Sequence, residues 1–390
     1  MMPGLYPETK DPFLPCPRLP VFIHIMNLLD TLKHPLAITM WDFSWLERRW
    51  PGAGYEDRDK ALDGLVERGY DAVRIDAYPH LVAADPHREW EILPPWNQQD
   101  WGSPARVHVR VMPALTEFIC KCRERGLRVA LSTWFQNDTT ERRLGIASAR
   151  VHAAIWIATL EQIERAGLLD AVLYVDICNE WPGRSWAPFF PEQGNDWRTP
   201  ASFDWMRECC RLLRERYPAL PLTTSFSTFL SGEDLRDANP DFLDFLEPHR
   251  WMSFATDFYE RVGYHFERFE SIGYENVVAR AERLYRSDPE YWKGLFAREL
   301  DALVDWSRAT GKPLVTTEGW AIVDYKDWPG LDWGWVKELN AWAVERVVAS
   351  GRWAAICTSN FCGPQFRGMW RDVDWHRNLT RKIHAGKLPS

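Results

Sequence analysis

The chain has little basic charge, no long apolar run and no tract of low complexity. Lysine and arginine total 47 against 55 aspartates and glutamates in 390 residues, which gives a net charge of −8 at pH 7. Nucleic-acid binding requires a basic surface, so no nucleic-acid partner is expected. The apolar run from Val21 to Leu29 is interrupted by His24 and Asn27. It is shorter than the about 20 apolar residues that span a bilayer, so no membrane association is expected either.

The amino terminus lacks the basic segment and continuous apolar stretch of a secretory signal, so a cytoplasmic location is expected. The eight cysteines have neither zinc-ribbon nor disulfide spacing, and Cys120 and Cys122 are interpreted as free thiols like the others. No His-x-His ends the first predicted strand and no His/Asp set has ligand spacing. We therefore expect no metal and no cofactor. The sequence leaves self-association into a homo-oligomer open.

From residue 36 onward, apolar runs typical of strands alternate with amphipathic helical patterns. Strands are predicted over 37–41, 72–76, 128–133, 172–179, 222–225, 242–247, 314–318 and 354–359. Helical patterns cover 57–68, 107–125, 142–166, 202–216, 277–310 and 335–350. Several of them end at a glycine suited to a helix C-terminus, such as Gly69 and Gly126.

This alternation predicts the α/β class with parallel strands and right-handed crossovers. Eight strands close a (β/α)8 TIM barrel, and the loops after its strands are predicted to be long and rich in tryptophan. An open doubly wound sheet is the alternative, but no G-x-G-x-x-G motif or P-loop follows an early strand. We predict one barrel domain over 36–390, with a proline-rich lead-in over 1–35 packed on it.

Two of the predicted strands end abruptly at a glutamate. Residues 176–181 read DICNEW and residues 314–320 read LVTTEGW. In a TIM barrel the active site lies at the carboxyl ends of the strands, so Glu180 and Glu318 are expected at one rim. Hydrolysis of a glycosidic bond requires two such carboxyl groups, one as proton donor and one as nucleophile or base.

Most other predicted strand ends offer an aromatic side chain beside a polar one. The polar candidates for binding sugar hydroxyls are Asp42, Asp76, Gln136, Asn137, His249 and Asn360, and the aromatic ones are Trp41, Trp134, Trp181 and Trp320. The long loops add Trp90, Trp96, Trp101, Trp186 and Trp197. Indoles present flat apolar faces on which sugar rings stack, although the 23 tryptophans could equally pack the core.

On these residues the chain resembles the clan A glycoside hydrolases, which are retaining TIM-barrel enzymes, and within them the divergent cellulase-like members. The marks of the clan are an Asn-Glu pair ending strand four, a glutamate ending strand seven and an arginine on strand two. Here Asn179-Glu180, Glu318 and Arg74 match them. Asp176 shares alternation parity with Glu180 and is interpreted as a buried structural partner. Arg74 could instead neutralise Asp76 or Asp176.

The resemblance implies a β-glycosidase that cleaves β-linked oligosaccharides or glycoconjugates by double displacement. Glu180 would be the general acid and base, and Glu318 the nucleophile. Asn179 would bind the sugar 2-hydroxyl, and Arg74 would keep Glu318 ionised. The carbohydrate substrate is the only partner that the resemblance implies.

The sequence departs from the clan pattern around these residues. His249-Arg250-Trp251 stands where many members have His-x-Tyr, and Asn360-Phe361 stands where a tryptophan is expected after strand eight. The residues that recognise the sugar are therefore expected to differ from those of the clan. A catalytically inactive sugar-binding TIM barrel is the alternative function.

Overall fold

The structure, a computed structural model, describes residues 32–94, 100–192, 194, 196–227, 231–265, 270–324, 327 and 332–389. Most of the predicted lead-in over 1–35 lies outside the described residues, and so does Trp96. The division into lead-in and barrel therefore stays a prediction.

The strands follow the predicted order, with shorter pieces around the fifth to seventh positions. They are β1 (Leu36–Asp42), β2 (Ala72–Asp76), β3 (Trp90–Ile92), β4 (Val107–Val109), β5 (Arg128–Ser132), β6 (Val172–Asp176), β7 (Leu222–Thr223), β8 (Ser225–Phe226), β9 (Glu247–Pro248), β10 (Arg250–Trp251), β11 (Leu314–Thr316), β12 (Gly319–Trp320) and β13 (Trp353–Cys357).

The helices lie between these strands and after the last one. They are α1 (Ser44–Glu47), α2 (Arg58–Glu67), α3 (Pro79–Ala84), α4 (Val111–Glu124), α5 (Ala149–Arg165), α6 (Pro200–Arg216), α7 (Gly232–Leu235), α8 (Met252–Ala255), α9 (Phe258–Val262), α10 (Ser271–Ser287), α11 (Pro289–Thr310), α12 (Gly334–Ser350), α13 (Arg367–Trp370) and α14 (Val373–His384).

The main sheet is parallel and has the strand order of a TIM barrel. Among the described residues, seven strands are hydrogen-bonded in the order β11-β13-β1-β2-β5-β6-β7. The sixth position of the barrel is completed only in short parallel pieces: β9 pairs with β8, β10 pairs with β12, and Leu246 bridges to Leu314. The prediction of an α/β barrel is therefore confirmed, with an incompletely closed ladder at the sixth strand.

The predicted sixth strand over 242–247 begins too early. Leu243 N–H donates to the Pro240 carbonyl in a turn, and the Asp244 carboxylate accepts the Leu222 N–H at 2.7 Å. These bonds use the N–H groups of Leu243 and Leu222. Backbone pairing therefore starts only at Asp244, whose N–H donates to the Leu222 carbonyl at 3.0 Å, and the bridge to β11 starts at Leu246. Pro248, which has no N–H to donate, then interrupts the ladder again.

Three predicted helical patterns divide in the structure, and the one over 142–166 has a short 3-10 helix (Arg142–Gly145) before α5. The pattern over 107–125 divides into β4, which pairs antiparallel with β3, and α4. The pattern over 277–310 divides into α10 and α11 because Pro289 starts a new helix. Asp288 accepts the Tyr291 N–H as its N-cap, and proline at the first helical position removes a donor that would lack a partner.

Alternation along β2 shows how the barrel separates two environments. Val73 and Ile75 pack in the large apolar layer between strands and helices, whereas Ala72 belongs to a small cluster inside the barrel. Arg74 and Asp76 share the parity of Ala72 and are fully buried. The barrel interior is therefore apolar at its amino-terminal end and polar toward the carboxyl ends of the strands.

The described cysteines are all free, as expected. In the part of the chain that the structure describes, no helix is long and apolar enough to cross a membrane. The cytoplasmic location and self-association stay predictions.

Candidate active site

Glu180 and Glu318 lie just beyond the carboxyl ends of β6 and β11, where the sequence predicts them. His249 lies beside them. Three atoms are within 4.8 Å of one another: a carboxylate oxygen of Glu180, a carboxylate oxygen of Glu318 and a ring nitrogen of His249. The Glu180 side chain is 14% exposed and the Glu318 side chain 3%. Glu180 is therefore the carboxyl group that meets solvent, and Glu318 the one held inside the barrel.

The backbone presents Glu180 by an uncommon conformation. Its φ is +47°, in the left-handed region that a residue with a side chain rarely adopts. Its N–H donates to Ser225 Oγ at 2.8 Å, and its carbonyl accepts the Gly183 N–H at 2.7 Å. A hydroxyl group from β8 and a backbone bond within the same loop therefore hold this turn.

Arg74 joins the nucleophile candidate to the first strand. Its Nη2 donates to Glu318 Oε1 at 2.5 Å, and its Nε and Nη2 donate to the two oxygens of Asp42 at 3.0 and 2.9 Å. Nη1 lies 3.7 Å from Asp176 Oδ2 and 3.6 Å from Glu247 Oε1. The guanidinium is completely buried, so the positive charge of this cation is balanced by carboxylates rather than by water.

His249 lies between the two glutamates, and its protonation follows from its neighbours. Arg74 Nη1 is 3.2 Å from His249 Nε2, and because a guanidinium only donates, Nε2 must accept. The ring proton is therefore on Nδ1, which lies 3.1 Å from Glu180 Oε1 and 3.4 Å from Glu318 Oε1. Burial lowers the pKa of His249 to about 4, so the ring is neutral at pH 7.

Burial raises the pKa of both glutamates. For Glu180 it raises the pKa to about 7, against an opposing bond from Trp186 Nε1 to Oε2 at 3.3 Å. For Glu318 burial also raises the pKa to about 7, while His249 and Arg74 lower it and Glu180 raises it further. Because Arg74 contacts only Glu318 of the pair, the negative charge is more stable there and a shared proton belongs on Glu180.

Three further predicted residues, Asn179, Gln136 and Trp134, are buried at or just beyond the carboxyl ends of β5 and β6. Asn179 is fully buried, and neither its amide oxygen nor its amide nitrogen has a hydrogen-bond partner among the described residues. The Gln136 amide nitrogen is likewise buried without a partner. Trp134 is nearly buried and packs edge-on against Trp186 at 4.5 Å between ring centroids.

The other predicted tryptophans do not form a sugar-stacking surface. Trp41, Trp181 and Trp320 are buried in the core. Their indole N–H groups donate to the Cys362 carbonyl at 3.1 Å, Ser202 Oγ at 2.7 Å and the Cys357 carbonyl at 2.9 Å, in that order. The prediction that these three tryptophans stack on a sugar is therefore wrong, because neither face of their rings is accessible to a ligand.

The remaining polar candidates are used within the protein. Both Asp76 oxygens accept backbone N–H groups, from Tyr78 at 2.7 Å and from Trp134 at 2.8 Å, and burial raises its pKa to about 7. The Asn360 amide fits best with its nitrogen donating to the carbonyls of Gly319 and Ile322. Asp42 is paired with Arg74 as described above, and the carbonyl of Asn137 accepts the Leu93 N–H. The side chains of Asp42, Asp76 and Asn360 therefore hold the rim in place rather than offering free groups to a sugar. The bond of Asn137 is made by its backbone, so the role of its side chain stays a prediction.

Sequence reasoning gave Trp186 no specific role and left Glu247 out. Trp186 is six residues after Glu180 and donates to its carboxylate. Glu247 accepts from Thr317 Oγ1 at 2.7 Å and from Tyr174 at 3.2 Å, and burial raises its pKa to about 8. The signal for Glu247 was its position at the end of a predicted strand, which is where Glu180 and Glu318 also stand.

An α/β barrel with glutamates at the ends of its fourth and seventh strands is the architecture of the clan A glycoside hydrolases. The chain belongs to the cellulase-like family: residues 38–384 match the family described as sugar-binding cellulase-like.

Solved structures agree with this assignment. A Parabacteroides distasonis protein, provisionally described as a glycoside hydrolase, is 48% identical and superposes with a TM-score of 0.88 over 91% of this chain and 95% of its own. A family 5 mannosidase from Rhizomucor miehei is 11% identical, with a TM-score of 0.51 over 91% and 94%. An endo-β-1,4-mannanase from Thermotoga petrophila is 9% identical, with a TM-score of 0.50 over 91% and 78%. The last two share the fold only. No curated protein is significantly similar in sequence.

Proposed function

We propose that the protein is a retaining β-glycosidase that cleaves β-linked oligosaccharides or glycoconjugates. The observation that carries the proposal is the separation of the two carboxyl groups, whose nearest oxygens are within 4.8 Å. Retaining enzymes hold their carboxyl groups about 5–5.5 Å apart, whereas inverting enzymes leave about 6.5–9.5 Å to admit a water molecule.

In the first step, Glu318 attacks the anomeric carbon while the glycosidic bond breaks. The proton on Glu180 passes to the departing glycosidic oxygen, so the aglycone leaves as a neutral alcohol. The product is a glycosyl ester of Glu318. Arg74 donates to Glu318 Oε1, which keeps this carboxylate ionised before attack and stabilises it again as a leaving group.

In the second step, Glu180, now ionised, takes a proton from a water molecule that attacks the anomeric carbon. The bond to Glu318 breaks, and the sugar leaves with its original anomeric configuration. Glu180 suits this exchange because its side chain is the more exposed of the two. The scheme uses no metal and no cofactor, since the positive charge beside Glu318 comes from Arg74.

Asn179 is the residue that we assign to recognition of the 2-hydroxyl. Its buried amide has an unused donor and an unused acceptor directly beside Glu180. A buried amide without partners is costly unless a ligand satisfies it, and a contact to the 2-hydroxyl tightens in the transition state. Gln136 offers a second unused donor, which we also assign to a sugar hydroxyl.

The competing function is a sugar-binding barrel without turnover, and the family description favours it by naming sugar binding. A set of 2-fluoro glycosyl fluorides of different configurations separates the two. The 2-fluoro group slows both steps while fluoride leaves readily, so a glycosidase accumulates the glycosyl ester. We expect one compound to add a single glycosyl unit to the peptide that contains Glu318, as measured by mass spectrometry.

Two variants control this labelling. Glu318→Gln should not be labelled, whereas Glu180→Gln should still be labelled because fluoride needs no proton to leave. If the native protein binds sugars but none of the fluorides labels it, the sugar-binding alternative is correct. Labelling of a residue other than Glu318 would overturn the assignment of the nucleophile.

The pH dependence of kcat/KM tests the role of Glu180. A raised pKa keeps Glu180 protonated up to about pH 7, so activity should fall as pH rises above this value. Trp186→Phe removes a donor that stabilises the carboxylate, so the pKa of Glu180 should rise. We expect the basic limb to move upward by about 0.5–1 pH unit.

Trp50→Phe is the matched control, because Trp50 is exposed and makes no contact with either glutamate in the described structure. Its pH profile should match that of the native protein. A downward movement of the basic limb in the Trp186 variant would be incompatible with this role of the indole.

A further inference from the structure

A second cluster of ionisable side chains lies at the opposite end of the barrel from Glu180. His34 precedes β1, Asp71 directly precedes β2, and His384 is the last residue of α14. One candidate ligand atom of each side chain lies within 4.8 Å of the other two. All three residues are partly exposed, so solvent reaches the cluster.

The orientation of His34 leaves one ring nitrogen available. Its Nδ1 is 3.0 Å from the carbonyl oxygen of Pro35, which can only accept a hydrogen bond. The ring proton is therefore on Nδ1, and Nε2 keeps its lone pair. A histidine that binds a metal generally donates its other N–H to a carbonyl or carboxylate in this way.

Asp71 and His384 are already held together. His384 Nε2 lies 2.7 Å from Asp71 Oδ2, which also accepts the Ala37 N–H at 2.7 Å. The rings of His34 and His384 are 4.5 Å apart between centroids. A backbone bond from β1 thus fixes the carboxylate, and the two imidazoles converge on it from the beginning and the end of the barrel.

We propose that His34, Asp71 and His384 bind one divalent transition-metal ion, for which zinc is the appropriate probe. Two imidazoles and a carboxylate are a usual zinc ligand set, with water as the fourth ligand. Ligands bonded at ~2.1 Å in a tetrahedron are roughly 3.4 Å apart, so only small side-chain movements bring these atoms into position. The ion replaces the proton between His384 and Asp71, and that proton is released to solvent.

The site would join the chain before β1 to the last helix of the barrel. The alternative is that His384 and Asp71 form only an ion pair. The two differ in one respect: an ion pair stabilises the fold without zinc, whereas the proposed site adds stability that depends on zinc concentration.

The test is zinc binding to the full chain, purified without a polyhistidine tag. We expect the native protein to bind one more zinc equivalent in equilibrium dialysis than His34→Ala or His384→Ala. At a zinc concentration of ~100 times Kd, the Tm of the native protein should rise by about 5 °C, and magnesium should have no effect. The exposed His87 and His108 are matched controls, and their alanine variants should bind as much zinc as the native protein.

Two variants make the outcome decisive. His384→Gln keeps a donor for Asp71 but is a poor zinc ligand, so it should fold and yet lose the zinc-dependent rise in Tm. Glu318→Ala should keep the bound zinc, because the cluster of Glu180, His249 and Glu318 is a separate group of potential ligands. Equal zinc content in the native protein and in the His34 and His384 variants would overturn the proposal, as would a zinc-dependent rise in His384→Gln.

Discussion

Replacing Glu318 by alanine is expected to lower kcat on an aryl β-glycoside by about 10⁵-fold, because the variant cannot form the covalent intermediate. The substitution removes a carboxyl group and leaves a small space beside the anomeric carbon. Azide is small enough to enter it and to attack in place of Glu318. We expect azide to restore part of the turnover and to give a glycosyl azide of inverted configuration, identified by NMR.

Glu180→Ala with azide is the paired control. In this variant Glu318 still forms the glycosyl ester when the aglycone is a good leaving group, and azide then attacks that ester. Two displacements give a glycosyl azide of retained configuration. Products of the same configuration from both variants would contradict the assignment of nucleophile and acid. Undiminished turnover by Glu318→Ala would contradict the proposed enzyme altogether.

The second large effect is expected at Arg74. Arg74→Met leaves Asp42, Asp176, Glu247 and Glu318 without the cation that lies within 4 Å of each of them. Breaking a buried ion pair from one side is strongly destabilising, and we expect the free energy of unfolding to fall by about 3–5 kcal/mol. Urea unfolding at pH 8 measures the loss.

The stability loss of Arg74→Met should depend on pH, and the sign of this dependence follows from the raised pKa values of the carboxyl groups around Arg74. Burial raises the pKa of Asp42 to about 6 and that of Glu247 to about 8, above the values of an unfolded chain. Such groups bind protons more tightly in the folded state than in the unfolded state. The free-energy cost of keeping them ionised in the folded protein therefore grows as pH rises. Without Arg74 these pKa values rise further, and the stability loss of Arg74→Met should therefore be larger at pH 8 than at pH 5.

Activity provides an independent measurement for the same variant. Arg74 lowers the pKa of Glu318, so its removal should shift the acidic limb of kcat/KM to higher pH. Arg128→Met on β5 is the control, since this arginine is half-buried and bonds to the Val172 carbonyl. It should cost less stability and leave the acidic limb in place. Equal effects of the two substitutions would contradict the special role of Arg74.

The barrel was predictable because its evidence is local and repeated. Most of the strands are short apolar runs, and most of them are followed by a helix with its own amphipathic pattern and ending signal. The two glutamates were predictable for the same reason, because a strand end fixes which rim a side chain reaches. The start of the sixth strand was not, because one of the bonds that delay it involves Leu222, which lies on the preceding strand, 22 residues from its partner Asp244.

Recognition residues were harder to predict because core packing and sugar stacking use the same residue types. On β1, the Ile38 side chain lies inside the barrel, whereas the Trp41 side chain points to the other side of the sheet and packs in the layer beneath the helices. Asp76 and Asn179 are each the last residue of a predicted strand, yet only Asn179 keeps its polar atoms free. What separates them is whether a backbone N–H from another strand lies within reach, and this depends on the closed barrel.

The buried indoles have a consequence for changing the substrate range of this protein. Several of them donate to carbonyls at or just beyond the carboxyl ends of barrel strands, and the pairs are Trp45 with Asp76, Trp156 with Ile177, and Trp320 with Cys357. The end of β6, which leads into Glu180, is thus anchored by Trp156 from α5 on the outside of the barrel, in addition to the contact that Trp186 makes from the loop above. Exchange or randomisation of the loops that keeps Trp186 can therefore alter specificity while the end of β6 keeps this anchor.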